Sequence, residues 1–404
     1  MAQFNTETTL NSLYKEVYAD KINRLLPENT KLTKMVDFSQ NDAPGDKYIE
    51  PVMLADEQGF SVGTGAFALS DHIASEHGEA QVEGYSQLLR SAIGYDAADR
   101  MASSKHAFTK WGDLLFRNML RSMNKRVEIA NMYGRTSIGV VEAAGGGVIT
   151  ISAATWAPGF WAGSKGAILE VFTALTAGSQ RNGDMTISAV SLANRQITVT
   201  GTSAAVAPGD FIFWKAYRGA EQYGLDAVAT NTGTLYNVSA ATYADVWAPS
   251  TFSCGSTRLT MSKVLAASAL SAERGCEEEL TLLTANRTFG NLNADLSALR
   301  KYDGSYTKEK GENGVQGIAF NSDTGTIKVV PSIFCKLGEA FLVPAKRCRR
   351  IGSSDITFNR PGQSEKIFLE LPSNAGFELR VRTNQTFYCE RPAYIVKLTD
   401  IVNE

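Results

Sequence analysis

The spacing of apolar residues changes character several times along this chain, and each change marks a different kind of element. Between 104 and 133, Trp111, Leu115, Met119, Met123, Val127 and Ala130 recur every three or four positions. Lys110, Asp113, Arg117, Arg121, Lys125 and Glu128 form the opposite polar stripe. That period predicts one helix of about 45 Å, well beyond the usual globular length. Its seam steps by four rather than alternating three and four, which fits a coiled coil badly. Beyond 313 the pattern becomes one of strands. Runs at 314–319, 326–330, 340–343, 364–371, 377–382, 386–389 and 394–399 are rich in β-branched and aromatic residues, with glycine or proline at three of the joints.

The N-terminal stretch 1–36 carries Leu10, Leu13, Val17, Ile22, Leu25 and Leu26 in an approximate helical stripe that stops at Pro27. It reads as an arm, held either by a neighbouring subunit or by its own domain. From 42 to 100, strand-like pieces at 47–51, 59–62 and 80–89 flank a tip over 63–79 rich in Gly, Ala and Ser. A hairpin of roughly fifty residues is hard to stabilise alone and makes sense when a neighbour covers it. Residues 138–220 turn to Gly, Ala, Ser and Thr, with short strands at 148–152, 185–190, 195–201 and 211–214. They predict a small β-barrel or sandwich inserted between halves of a larger α+β unit. Helices follow at 258–274 and 286–299, separated by a strand at 279–283.

Length and charge narrow the class. At 404 residues the chain exceeds the ~250–300 at which one core stops growing, so two or more domains are expected. A net charge of −2 offers no global basic field for nucleic acid. The five cysteines are never closer than thirteen positions, which excludes the spacing of zinc knuckles and redox pairs and predicts reduced thiols. No apolar run approaches the ~18 residues of a membrane span, and the N-terminus is polar, so a protein made and kept in a cytoplasm is expected.

Chemistry is sparse. No histidine lies beyond His106, and His72 and His77 are five apart, unlike a ligand pair. Gly145, Gly146 and Gly147 lack the following Lys-Ser/Thr of a phosphate loop. Glu277, Glu278 and Glu279 would alternate faces on a strand, reading as a solvated or subunit-facing acidic edge. Lys346, Arg347, Arg349 and Arg350 form the one dense basic run. It could meet nucleic-acid phosphates, or it could be a solvated loop or pair with acids of a neighbour. Trp156, Phe160, Trp161, Phe213, Trp214 and Tyr217 could line a sugar platform or simply fill a core. No catalytic residue, metal site or cofactor is predicted, and the chain does not read as an enzyme.

The order of these parts resembles the major capsid protein of tailed bacteriophages, the Hong Kong 97-type fold. Residues 258–275 and 277–306 look like the helix–strand–helix of that family's axial domain. Residues 314–330 and 377–402 look like its later strands, the last closing the peripheral domain. The resemblance implies an α+β fold with an N-terminal arm (1–41) and an extended loop (42–100). A spine helix and the start of a peripheral domain (101–137) would be completed by 364–404, with an inserted all-β domain (138–220) and an axial domain (221–363).

It further implies a self-assembling shell of hexamers and pentamers around double-stranded DNA, in a virion assembled in the host bacterial cytoplasm. Its partners would be a separate scaffolding protein (the arm being short), a portal protein, a cement or decoration protein and, non-specifically, the genomic DNA, with no membrane. Lys47, the only lysine between Asp42 and Arg100, sits near the loop's base, so no crosslink to a neighbour is expected. Candidate subunit contacts are Leu10, Leu13 and Val17 on the arm, Lys47, Phe60 and Phe67 in the loop, and Arg117 and Arg121 on the helix. Glu277, Glu278, Lys346, Arg347, Arg349 and Arg350 complete the set. A tail-tube or adhesin subunit, or a carbohydrate-binding protein, remains an alternative reading of the same residues.

Overall fold

The helix expected from the four-residue seam runs over Trp111–Tyr133 in a computed structural model. The structure describes residues 30–39, 47–96, 111–181, 183–201, 203–294, 318–322, 325–359, 367–372 and 374–403, so the expected start at 104 lies outside the described residues. The two halves of the helix meet different surroundings. Met119, Met123 and Val127 pack on Phe358, Leu379 and Val381. From Val127 to Gly134 every residue is buried, polar ones included. An amphipathic surface helix thus becomes an interior strut in its last two turns.

Two sheets flank it. One has six strands, in the order Ser250–Thr257, Val396–Ile401, Ala340–Val343, Thr281–Thr284, Gly325–Pro331 and Ile318–Ser322. Alternation along its central strands serves two cores. Leu282, Leu342, Val396 and Leu398 pack with Val264 and Ala267 of the helix Met261–Ala272, while Leu283, Phe341 and Val343 join the main core. The second sheet is built on Gly376–Cys389. Tyr85–Gly94 pairs along one edge; Cys348–Thr357 and Phe368–Glu370 share the other, and Phe38–Ser39 adds to Cys348–Thr357 in parallel.

Several expectations change here. The runs 377–382 and 386–389 are one strand, because Thr383, Asn384 and Gln385 hold the ladder although their side chains are polar. The basic run is split: Lys346 and Arg347 lie in the 3-10 turn Ala345–Arg347, and Arg349 and Arg350 lie at the start of the strand Cys348–Thr357. The expected boundary at 363/364 also cuts across the sheets. Cys348–Thr357 pairs with Gly376–Cys389, whereas Val396–Ile401 joins the other sheet between Ser250–Thr257 and Ala340–Val343. The chain crosses between sheets without any linker-like composition to mark the crossing.

The long hairpin pairs Tyr48–Ala55 with Glu76–Val82, Tyr48 opposite Val82. Residues 59–62, expected as strand, are irregular. The expected strand 80–89 is broken at Glu83 and Gly84, after which the chain leaves the hairpin for the five-stranded sheet. Gly84 sits at that crossing, where a Cβ would lie 2.1 Å from Asn384 Oδ1, so a larger residue would have to displace the Asn384 side chain.

Between the helix and the rest, six short strands close into a barrel. Around it run Phe211–Trp214, Gly139–Gly145, Val148–Ile151, Gln196–Thr200, Met185–Ser191 and Ile168–Phe172. Ile149, Ile151, Leu169, Val171, Met185 and Ile197 fill its core. Trp156, Phe160, Trp161, Phe213 and Trp214 are all buried and Tyr217 is half-buried, so they present no open platform for a sugar. Phe160 instead stacks on Phe334, and the amides of Leu337 and Gly338 donate to the carbonyls of Trp156 and Ala154. The barrel therefore shares its core with the body. All five cysteines are buried free thiols.

Candidate functional site

No cluster of histidine, cysteine or acidic side chains able to hold a metal occurs among the described residues. What stands out is a surface. At its base the hairpin is fixed: Leu54, Ala80 and Val82 are buried, and the Tyr48 ring meets Tyr388 edge-on at 6.2 Å. Gln81 N–H donates to the Tyr236 carbonyl at 2.8 Å, and the Tyr243 hydroxyl to Glu76 at 2.9 Å. Past the paired strands, residues 56–74 are exposed apart from the half-buried Ser61. Phe60, Val62 and Leu69 are 76%, 97% and 83% exposed, and Phe67 and Ile73 also face outward.

This tip has local order without a core. Gln58 N–H donates to the Ile73 carbonyl at 3.2 Å, Ser70 N–H to Ser61 Oγ at 2.6 Å, and the Ser70 hydroxyl to the Phe60 carbonyl at 2.9 Å. Burying one large apolar side chain fully is worth about 1.5–3 kcal/mol, so five of them on one loop constitute a strong drive to be covered. His72 is exposed, and His77 meets the Ser75 hydroxyl at 3.0 Å.

The basic run has a different role from a phosphate patch. Arg347 donates to Glu278 at 2.7 Å and reaches Glu390 at 3.4 Å. Arg349 bridges Glu50 of the hairpin at 2.8 Å and Glu390 at 3.1 Å. Lys346 and Lys328 lie 3.7 Å and 3.3 Å from Glu279, whose carboxyl they hold below its ordinary range, Lys328 foremost. The hydrogen bond to Glu278 raises the Arg347 pKa in turn. The exposed Glu277 borders the same group. With five acids beside four cations there is no excess positive charge to attract a duplex.

Arg350 is a correction of another kind. It is buried, donating to the Val36 carbonyl at 2.9 Å, to Gln385 at 2.7 Å and to Asp355 at 3.0 Å. A neighbour cannot reach it; it fastens residues 36–39 to the sheet. Lys47 pairs with Glu83 at 2.9 Å at the hairpin base. Arg117 and Arg121 are exposed on the first half of the long helix. Leu10, Leu13 and Val17 lie outside the described residues, but 30–39 dock on their own chain.

Two buried charged groups escaped the sequence. Glu128, assigned to the polar stripe, is fully buried and accepts the backbone N–H groups of Lys31, Leu32 and Thr33, all at 2.8 Å. It caps the short helix Leu32–Met35 from outside that segment. Lys397 binds Asp226 at 2.5 Å and Glu339 at 2.9 Å in the interior. Burial pushes the Asp226 carboxyl upward, but Lys397 and Lys336 overcome it and hold the group below its usual value. The signal for both was charge within runs that otherwise read as core, and nothing local names the partner.

No known family's sequence profile matches the chain, and no curated protein matches it. Solved structures do. The capsid asymmetric unit of cyanophage A-1(L) is 14% identical, with a TM-score of 0.60 over 98% of this chain and 99% of that one. The capsid of the native GTA particle is 8% identical, with a TM-score of 0.54 over 99% and 100%. The capsid of cyanophage P-SCSP1u is 8% identical, with a TM-score of 0.53 over 98% and 95%. At such identities the likeness is one of fold, and it runs the length of the chain.

Proposed function

We propose that this chain is the major capsid protein of a tailed bacteriophage or phage-like particle, many copies of which close into an icosahedral shell around double-stranded DNA. The observation that carries the reading is the full-length sharing of fold with capsid proteins, joined to a hairpin whose apolar tip no other described part of the chain covers. A protein with that fold acts through its surfaces. Its work is mechanical, and it would reside in the virion.

On this reading Trp111–Tyr133 is the spine helix and 48–82 the extended loop. The five-stranded sheet forms the peripheral domain and the six-stranded sheet the axial domain, with the barrel as an insertion beside the spine. Hexamers and pentamers would form as each tip lies across the adjacent subunit. Scaffolding and portal proteins complete such an assembly, and the inner face meets DNA without sequence preference. Lys346, Arg347, Glu277 and Glu278 lie at the surface where a neighbour could exchange ion pairs with them.

Negative-stain electron microscopy of the purified chain, alone and with candidate scaffolding proteins from its own genome, tests the proposal. Closed shells tens of nanometres across are expected. Tubes would assign it to a tail, and discrete small particles under every condition would overturn the shell reading.

A further inference from the structure

A cavity of about 190 Å³ lies between the long helix and the barrel, lined by Arg121, Lys125, Arg126, Lys165, Ser164 and Trp214 among others. Among the described residues no acidic side chain lines it. The Arg126 guanidinium stacks over the Trp214 ring at 3.9 Å, and its Nη1 is buried with no hydrogen-bond partner among the described residues. Lys125 Nζ donates to the Ala162 carbonyl at 2.6 Å, which satisfies one of its three protons. Glu221 is the acid that acts on Arg126, and burial pushes its carboxyl up to about 8, so it is mostly uncharged at neutral pH.

Lys125, Arg126 and Lys165 thus face a recess whose described lining supplies no acid, and Arg126 carries the buried, unpartnered nitrogen. Unpaired buried charge is costly, and an oxyanion that accepts from the guanidinium fork removes that cost. We propose that this cavity binds a compact, multiply charged oxyanion of the phosphate class, which clamps the barrel to the helix through Arg126 on one side and Lys165 on the other. Its volume suits a single phosphoryl group with part of its hydration. The same chemistry could come from free phosphate or from the backbone of nucleic acid. Lys125 supports the assignment, because burial and the adjacent Arg126 lower its pKa to about 8, and an incoming anion would restore its proton. Among the described residues lining the cavity, the charged groups around it are Arg121 and Arg126 on the helix and Lys165 on the barrel, all cationic.

The test is titration calorimetry of the full 404-residue chain with inorganic phosphate, in chloride buffer of matched ionic strength. Saturable binding is expected. Arg126→Gln should weaken it about tenfold or more and Lys165→Gln, on the exposed rim, by a few-fold. At pH 8.5 the binding heat should depend on the buffer, since Lys125 takes up a proton, and Lys125→Gln should abolish that dependence. Should Arg126→Gln fail to fold, the Lys165 and Lys125 variants carry the test. A short DNA duplex that displaces phosphate would identify nucleic acid as the source, and one that does not would leave the free ion. Absence of saturable uptake by the wild-type chain, or equal affinity in the variants, overturns the proposal.

Discussion

Glu128 and Thr33 stand ninety-five positions apart and meet at 2.6 Å, the threonine hydroxyl donating to a carboxylate that already holds three backbone amides. One buried side chain on the long helix thereby fixes where the N-terminal segment joins the body. Asn131, one turn on, donates to Thr33 Oγ1 at 3.1 Å and accepts from Gln222, so the contact extends to a third part of the chain.

Glu128→Ala should leave three buried or half-buried amides without acceptors, at a cost of about 1–3 kcal/mol each if no water replaces the carboxylate. The expected outcome is a drop of several kcal/mol in chemical denaturation, with new protease cleavage near 30–40. Thr33→Val, which keeps the amides satisfied, should cost about 1 kcal/mol. Equal effects of the two would refute the cap.

The Lys397–Asp226 pair predicts strong coupling. Lys397→Met alone removes the ion-pair partner of the buried Asp226 and the half-buried Glu339, leaving Lys336 as the remaining cation near Asp226, and should destabilise by about 3 kcal/mol. Combining it with Asp226→Asn should recover part of that loss. A double-mutant cycle with coupling near zero would mean the pair contributes nothing as a pair.

Stability should pass through a minimum near pH 8, set by two groups of opposite sign. Burial raises the Glu221 pKa from 4.5 to about 8, so between those values the unfolded chain releases a proton that the folded one keeps, and stability falls as pH rises. Lys125 is lowered from 10.5 to about 8 by burial and by Arg126; above 8 the folded chain has lost a proton the unfolded one retains, and stability rises again toward 10.5. Urea midpoints between pH 5 and 10 should show both limbs. Glu221→Gln should flatten the first and Lys125→Met the second; a wild-type profile lacking the minimum would count against both shifts.

The hairpin tip should matter to assembly and not to folding. Phe60→Asp and Leu69→Asp replace exposed side chains, so each should change the melting temperature of the isolated subunit by less than about 0.5 kcal/mol equivalent. Both should reduce the yield of shells severely in light scattering or microscopy. Shells of normal yield from the double variant would remove the tip from the assembly interface.

Local elements were legible because their signals are local. The four-residue seam from Leu115 to Val127 marks a helix, and alternation in Met185–Ser191 and Gln196–Thr200 marks a hairpin. Pairing across the chain was not, because nothing in Val396–Ile401 says that its neighbours are Ser250–Thr257 and Ala340–Val343. The same limit hid the charges. Arg350 looks like one more cation in a basic run, and only the approach of Val36, Gln385 and Asp355 makes it an interior fastener. At the surface, Phe60 and Phe67 are exposed, as large apolar residues must be in a loop rich in glycine and serine that offers them no core to enter.

The barrel's entry and exit strands lie side by side, Gly139 opposite Ile212, which makes it look like a cassette that could be cut out and exchanged. Its wall says otherwise. Removing it would strip Phe160 from Phe334 and Tyr133 and leave the amides of Leu337 and Gly338 without acceptors. Anyone wishing to display a foreign peptide on this protein should leave the barrel whole and graft into the turn at Gly145 and Gly146, where an added side chain meets open space. Because Gly146 has a φ of +59°, the graft should keep glycine there and begin beside it.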